Sequence, residues 1–295
     1  MQDKFERFLC PALSLRAYTA LTTNTAKEIA TLHNTTPNAT YAMSEAITAT
    51  ALLSSLLKPD SRQSLSLKIS GSGPMGTIYI QTDTTGALRG YAENPQPETK
   101  QKFDSIDFSH AIGAGVITVT RDIGMKEPYS GVSPLIYGSI AKDTAYYLTT
   151  SEQIPSAVIL TCDTDNDGYI ISSGGILIQT LPDTPEESIA IVERSMQKSK
   201  TLKEHLGTGE DITSYLSYLL ENNTLELLSS TSLHYQCSCS KDIVMASLAA
   251  VSAKDLEVMI EEDHGAEVCC TFCNKAYKFT ESDLKDIIDK KEILQ

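Results

Sequence analysis

The sequence predicts an α+β chain: a mixed N-terminal domain on a largely antiparallel sheet (residues 1–182), a helical linker (183–230) and a small C-terminal domain (231–295). Three observations predict it. Short strand-like runs cluster ahead of Pro182 with few helices among them. Strands grouped in this way pair antiparallel, whereas strict strand–helix alternation would build a parallel sheet. Beyond Pro182 the pattern turns amphipathic at helical spacing. Finally, five of the seven cysteines follow Gln236, four of them in two spaced pairs.

In the first domain, "NTAKEIATLHN" and "PNATYAMSEAITATALLSSLLKPD" carry helix signals: Asn or Thr at the start, Ala-rich interiors, and Pro59 as a stop. Leu52, Leu53, Leu56 and Leu57 form an apolar stripe for the core. Alternating runs bounded by Gly or Asp follow: "SLSLKISG", "GTIYIQTD", "GVITVTRD", "SAVILTCD" and "GYIISSGGILIQTLP". One helix interrupts them, "GSIAKDTAYYLTTSEQ", with Ile140, Thr144, Tyr147 and Leu148 on one face.

The linker opens on "TPEESIAIVERSMQKSK". Here Thr184 is expected as N-cap, Pro185 at the first helical position and Glu187 closing a capping box, with Ile189, Val192 and Met196 on one face. A second amphipathic helix is expected in "DITSYLSYLLEN". These helices have an apolar stripe but few local partners, so they read either as core helices of the large domain or as a conditionally stable linker.

The C-terminal domain carries the chemistry. Cys237 and Cys239 form a C-x-C pair, Cys270 and Cys273 a C-x-x-C pair, and 30 residues separate them. Zn²⁺ favours a tetrahedral thiolate set, and two short clamps need only be brought together by the segment between them. That segment reads as helix, turn, helix: "KDIVMASLAAV", then "SAKDLEVMIEED" capped by Ser252 with Asp255 and ending near Gly265. A short strand with Tyr277 and Phe279 and a helix capped by Thr280 complete the module. Apolar burial alone does not stabilise so small a unit, and one zinc ion, worth about 10–16 kcal/mol in small peptides, would supply the difference.

Composition excludes several function classes. Against 24 Lys and Arg stand 38 Asp and Glu, a formal net charge of −14, which disfavours nucleic acid as a partner. No run approaches the roughly 18 apolar residues of a membrane span, and the N-terminus has no uninterrupted apolar signal region, so a soluble, unexported protein without a membrane partner is expected. An odd cysteine count in such a chain points to a reducing compartment, where clustered thiols bind metal or do redox work. "DTDNDG", Asp163–Gly168, imitates an EF-hand loop but has Gly174 where a bidentate Glu is required, and reads as a hairpin turn. "GSGPMG" lacks the Lys of a phosphate loop and reads as a turn. His33, His110, His205, His234 and His264 form no catalytic grouping, with His234 and His264 expected at the surface. Cys10 and Cys162 have no partner nearby and read as buried.

The pattern C-S-C-S, 30 residues, then C-T-F-C-N-K-A-Y-K-F resembles the redox-regulated thirty-three-kilodalton heat-shock chaperone family, a bacterial-type holdase. "GSGPMG", "YSGVSPL" leading into "YYLTTSEQIPS", and "GGILIQTLP" extend the likeness over nearly the whole chain. The resemblance implies a cytoplasmic, ATP-independent chaperone and not an enzyme, with a substrate-binding core over 1–182, an amphipathic linker over 183–230 and a redox-switch zinc domain over 231–295. It implies that reduced Cys237, Cys239, Cys270 and Cys273 hold one Zn²⁺ and keep the linker down. It also implies that oxidation closes disulfides Cys237–Cys239 and Cys270–Cys273, releases zinc and exposes apolar surface to unfolding clients, the oxidised form associating as a homodimer. The very small ring closed by Cys237–Cys239 is expected to be strained and to form after Cys270–Cys273.

Two departures from the family pattern stand out: Cys269 is an additional thiol beside the distal clamp, and Ser238 occupies a position where an acidic residue is common. Two other classes remain open at this point. One is a thiol–disulfide oxidoreductase using Cys270 and Cys273, the other a zinc-ribbon interaction module.

Overall fold

A computed structural model describes residues 1–59, 61–97, 108–197 and 200–293, and the chain divides into two units, Met1–Gln236 and Cys237–Gln295. The first unit opens with β1 (Lys4–Cys10) and β2 (Leu15–Leu21), then α1 (Thr23–His33) and α2 (Pro37–Leu53). It continues with β3 (Ser64–Gly71), β4 (Thr77–Asp83), β5 (Ala87–Ala92), α3 (Phe108–Ile112), β6 (Gly115–Asp122), β7 (Tyr129–Pro134) and α4 (Ile140–Thr150). It closes with β8 (Ser156–Thr164), β9 (Ile170–Thr180), α5 (Glu186–Met196), α6 (Leu202–Gly207), α7 (Ile212–Leu219), β10 (Glu226–Ser232) and β11 (His234–Tyr235).

These strands form two sheets. One has the order β10-β1-β2-β9-β8 and is antiparallel throughout; the other has the order β11-β5-β4-β3-β6-β7, with β11 alone parallel to its neighbour. The expected α+β class with antiparallel sheet is what the chain adopts. All five runs read as strands pair as strands. β1, β2, β5, β7, β10 and β11 lack a clean alternating signal. β2, for example, is central and buried on both faces, so its sequence "LRAYTAL" does not alternate.

α2 explains how the two sheets share one core. Its 17 residues are mostly Ala, Ser and Thr with a few large apolar side chains, 14 of them are buried, and it packs on strands of both sheets; a helix buried all round needs no polar face. Small residues allow close approach: a Cβ on Gly175 of β9 would meet Thr48 Cγ2 at 2.8 Å. Its hydroxyls are satisfied internally, Ser44 donating to Thr40 O (2.7 Å) and Thr50 to Ala46 O (2.7 Å), while Thr48 joins Thr22 (2.6 Å) and Ser173 (3.2 Å). Around it lie Leu65, Leu67, Ile69, Ile78, Ile117 and Tyr147, each large side chain contributing roughly 1.5–3 kcal/mol on burial.

A second core lies on the other face of the five-stranded sheet. Leu15, Ala17, Leu21, Ile176 and Ile178 meet Ile191, Val192, Leu202, Leu206, Ile212, Leu216 and Leu219. The apolar stripes of α5–α7 therefore do have partners, the outer faces of β1, β2 and β9. Three expectations here need correction. Thr184 does not cap α5: its hydroxyl donates to Ser14 O (2.7 Å) and Leu181 O (2.8 Å), and Pro185 takes the N-cap position without a side-chain bond. Of the expected face, Val192 is buried, but Ile189 and Met196 are exposed, because the helix turns Ser188, Ile191 and Ser195 inward. The segment 183–230 is also not helical throughout, since β10 begins at Glu226 and pairs with β1. Lys198 and Ser199, at the end of the first predicted linker helix, lie outside the described residues.

Turn chemistry settles the decoys. Asp165 accepts from the backbone N–H of Asp167 (3.0 Å) and Tyr169 (2.9 Å), and Gly168 takes φ +87°, so "DTDNDG" is the β8–β9 hairpin turn. "GSGPMG" spans the β3–β4 connection, with Gly76 at φ +63°.

The second unit comprises α8 (Lys241–Leu248), α9 (Ala253–Asp263), β12 (Gly265–Cys269), β13 (Ala276–Thr280) and α10 (Glu281–Ile293). The helix, turn, helix, the short strand with Tyr277 and Phe279 and the final helix read from the sequence are all present; β12, which pairs with that strand to make a hairpin, was not read. Ser252 Oγ accepts from Asp255 N (3.1 Å) and Thr280 Oγ1 from Asp283 N (3.3 Å), the two expected caps. The core is small, built on Val244, Leu248, Leu256, Tyr277, Phe279, Leu284 and Ile287.

Candidate metal centre

Local structure positions each thiol. Cys237 and Cys239 lie on the extended loop ahead of α8, whose N-cap Ser240 accepts from Ile243 N (3.2 Å) and so fixes where the loop ends. Cys270 and Cys273 occupy the turn joining β12 to β13. Cys270 N donates to Lys275 O (3.0 Å), while Cys273 N (3.3 Å) and Asn274 N (2.8 Å) donate to Cys270 O. Asn274 takes φ +56°, a conformation Asn tolerates well.

The four sulfurs lie within 4.8 Å of one another. Cys237 Sγ stands 3.7 Å from Cys270 Sγ, and Cys239 Sγ 3.4 Å from Cys273 Sγ. Neither distance is a disulfide, whose sulfurs stand about 2.05 Å apart. A tetrahedral Zn²⁺ with bonds of about 2.3 Å would place its sulfurs about 3.8 Å apart, so spacing and donor softness both suit a thiolate-loving cation. All four are half-buried. Cys239, Cys270, Val268 and Ala266 pack against the module's apolar core, which joins the sulfur group to the hydrophobic one.

Electrostatics point the same way. Burial pushes the Cys237 thiol up, and Cys273 up to about 12. Cys239 is brought down to about 7, chiefly by the hydrogen bond that Tyr277 Oη donates to its sulfur at 3.1 Å. Thiols this crowded resist ionising together until a cation offsets their mutual repulsion.

Other predicted residues fall elsewhere. Cys269 is exposed and outside the four-sulfur group, as strand alternation at the end of β12 requires of the neighbour of Cys270. Cys10 and Cys162 are buried in the first unit, where burial pushes Cys162 up to about 12. His234 pairs with Gln236 (3.2 Å) and His264 with Glu281 (3.0 Å), both at the surface. His33 and His205 are buried, well apart in sequence and in different elements. Tyr277 lies on the short strand expected from the sequence, and its bond to Cys239 is a functional contact that expectation does not include. Local spacing carries no signal of that bond, because Cys239 and Tyr277 stand 38 positions apart and meet only when the module closes.

The profile of the family described as Hsp33 protein matches residues 3–280. The chain is 38% identical over 276 residues to the 33 kDa chaperonin of Clostridioides difficile (strain 630), covering 93% of this chain and 94% of that protein. It is 37% identical over 279 residues to the 33 kDa chaperonin of Aquifex aeolicus (strain VF5), covering 92% and 85%. The crystal structure of the 33 kDa chaperonin (heat shock protein 33 homolog) from Thermotoga maritima matches with a TM-score of 0.90 at 26% identity, covering 99% of this chain and 100% of that one. With sequence and fold matched from end to end, and the paired cysteines assembled into one group, the chain belongs to the Hsp33 family.

Proposed function

We propose that this chain is a redox-switched, ATP-independent holdase, inert while Cys237, Cys239, Cys270 and Cys273 hold zinc as thiolates and active once they are oxidised. The observation that carries the reading is the convergence of four soft donors within 4.8 Å in a unit with a core of seven buried apolar residues. Bound there, Zn²⁺ would hold four thiolates and supply folding energy that so small a core lacks.

The chain's own chemistry then makes the switch. Peroxide takes two electrons from a thiolate pair; one S–S bond forms, the O–O bond breaks, and two protons from water complete two water molecules. Pairs Cys237–Cys239 and Cys270–Cys273, once closed, no longer offer a thiolate set, and residues 237–295 lose the centre that orders them. Loss of order passes along the chain from Cys237 into β11 and β10 and weakens the docking of 183–230. If α5–α7 lift away, Leu15, Ala17, Leu21, Ile176 and Ile178 become an apolar face open to unfolding proteins. In this reading 1–182 is the client-binding core, 183–230 the conditional linker, 231–295 the switch, and the oxidised form a homodimer.

The protein acts in the cytoplasm, without catalysis and without nucleic acid. Residues 237–295 carry seven Lys and no Arg against twelve Asp and Glu, which disfavours the nucleic-acid-binding ribbon. Cys270 and Cys273 sit in a turn between antiparallel strands, whereas a thioredoxin-like pair opens a helix after a strand. Among the described residues no helix is long and apolar enough to cross a membrane. The test is suppression of aggregation of a heat-unfolded protein by the full chain, with and without peroxide. Activity only after oxidation, reversed by thiol reductant, supports the reading; equal activity in both states refutes it.

A further inference from the structure

Tyr277 sits on β13 opposite Val268 of β12, its ring buried among Phe279 and the other core side chains, with its hydroxyl 3.1 Å from Cys239 Sγ. A thiolate can only accept, so beside an ionised sulfur the phenol must donate. Besides their contacts with the other sulfurs, Cys237 and Cys273 each accept a hydrogen bond from a backbone N–H of their own loop, that of Cys239 and that of Lys275. The donor to Cys239 is a side chain that belongs to another strand and can be deleted without altering a loop.

We propose that Tyr277 is a positioning residue of the redox switch: by donating to Cys239 Sγ it damps that sulfur's attack on oxidant and delays closure of Cys237–Cys239 behind Cys270–Cys273. The inference rests on the thiolate-centre reading above. Attack uses a sulfur lone pair: the S–O bond to hydrogen peroxide forms as the O–O bond breaks and hydroxide leaves. The second thiolate of the pair then displaces hydroxide from the sulfenic acid to make the S–S bond. Two electrons leave the sulfurs in all, and solvent protons convert both hydroxides to water. A lone pair engaged by Tyr277 must loosen that bond to react, as outer hydrogen bonds at metal thiolates generally require. Losing one such bond should speed Cys239 about fivefold.

The test compares full-length wild type with Tyr277→Phe, which keeps the ring and removes only the hydroxyl. Both are loaded with Co²⁺ for spectroscopy and Zn²⁺ for kinetics. After peroxide pulses, free thiols are alkylated and each pair is followed by mass spectrometry. The expected result is closure of Cys237–Cys239 about fivefold faster in the variant, with Cys270–Cys273 unchanged and the sulfur-to-cobalt charge-transfer band moved to longer wavelength. Equal acceleration of both pairs, unchanged rates with an unmoved band, or a Tyr277→Phe chain that no longer takes up cobalt would each overturn it. Wild type that takes up no cobalt would overturn the thiolate-centre reading itself, and this inference with it.

Discussion

Cys239 Sγ and Cys273 Sγ stand 3.4 Å apart, although 34 positions separate them in the chain. Bringing them together fixes α8, α9 and the β12–β13 hairpin at once, so the contact is as much a statement about folding as about chemistry. Cys273→Ser should therefore remove more than one ligand. Zinc per reduced chain is expected to fall from one to well below half, with loss of the helical circular dichroism contributed by 237–295, since a centre worth about 10 kcal/mol or more cannot be replaced by so small a core. Colorimetric zinc release together with far-ultraviolet dichroism reads both; a stoichiometric, fully helical variant would contradict it.

Helices α5–α7 make a separate prediction. Leu216 of α7 is fully buried against the outer face of the five-stranded sheet. Leu216→Ala should cost about 2–5 kcal/mol at that docking surface and loosen 183–230 without touching a sulfur. Reduced, zinc-loaded Leu216→Ala is expected to suppress aggregation before any peroxide is added. A variant that keeps one zinc, denatures earlier than wild type and still requires oxidant would show that linker docking is not what restrains activity.

A buried carboxyl gives the first unit its own pH response. Glu45 of α2 is 8% exposed, and burial raises it from 4.5 to about 7, the hydrogen bond from Tyr41 opposing that rise. For an acid, a higher value in the folded chain means that the folded state binds the proton more tightly. Its contribution is therefore most favourable below about pH 4.5, declines as pH rises from there to about 7, and stays low above. The loss is on the order of 3 kcal/mol. Glu45→Gln keeps a neutral side chain at every pH, so its stability advantage over wild type should grow between pH 5 and pH 8 in urea titrations. An advantage that does not change with pH would exclude the titration of Glu45.

Much of this architecture was legible in the residues, and the gaps have physical causes. Caps at Ser252 and Thr280 and the two cysteine clamps are local features, readable because partner and signal lie within a few positions. The α+β class followed from five short strand-like runs bounded by Gly or Asp, although the last of them, β9, is buried on both faces. β2 escaped because it is buried on both faces, and β10 because a seven-residue strand held only by β1 at the sheet edge keeps exposed leucines, Leu227 and Leu228, where alternation would show polar ones. Thr184 looked like a cap because its spacing to Glu187 is right; the nearby carbonyl of Ser14, 170 residues away in sequence, captured its hydroxyl instead. The bond from Tyr277 to Cys239 also depends on tertiary closure, which spacing alone does not display.

The central claim is that one metal ion on four thiolates orders residues 237–295, and that oxidising those thiolates removes the order. Hydrogen exchange of the full-length chain, read peptide by peptide alongside zinc content before and after peroxide, tests it most directly. The account predicts one zinc and slow exchange across 237–295 in the reduced chain, then zinc loss and fast exchange in that unit, with α5–α7 losing protection and α2 keeping it. Reduced protein that binds no zinc, or a C-terminal unit that stays protected after its zinc has gone, would contradict it.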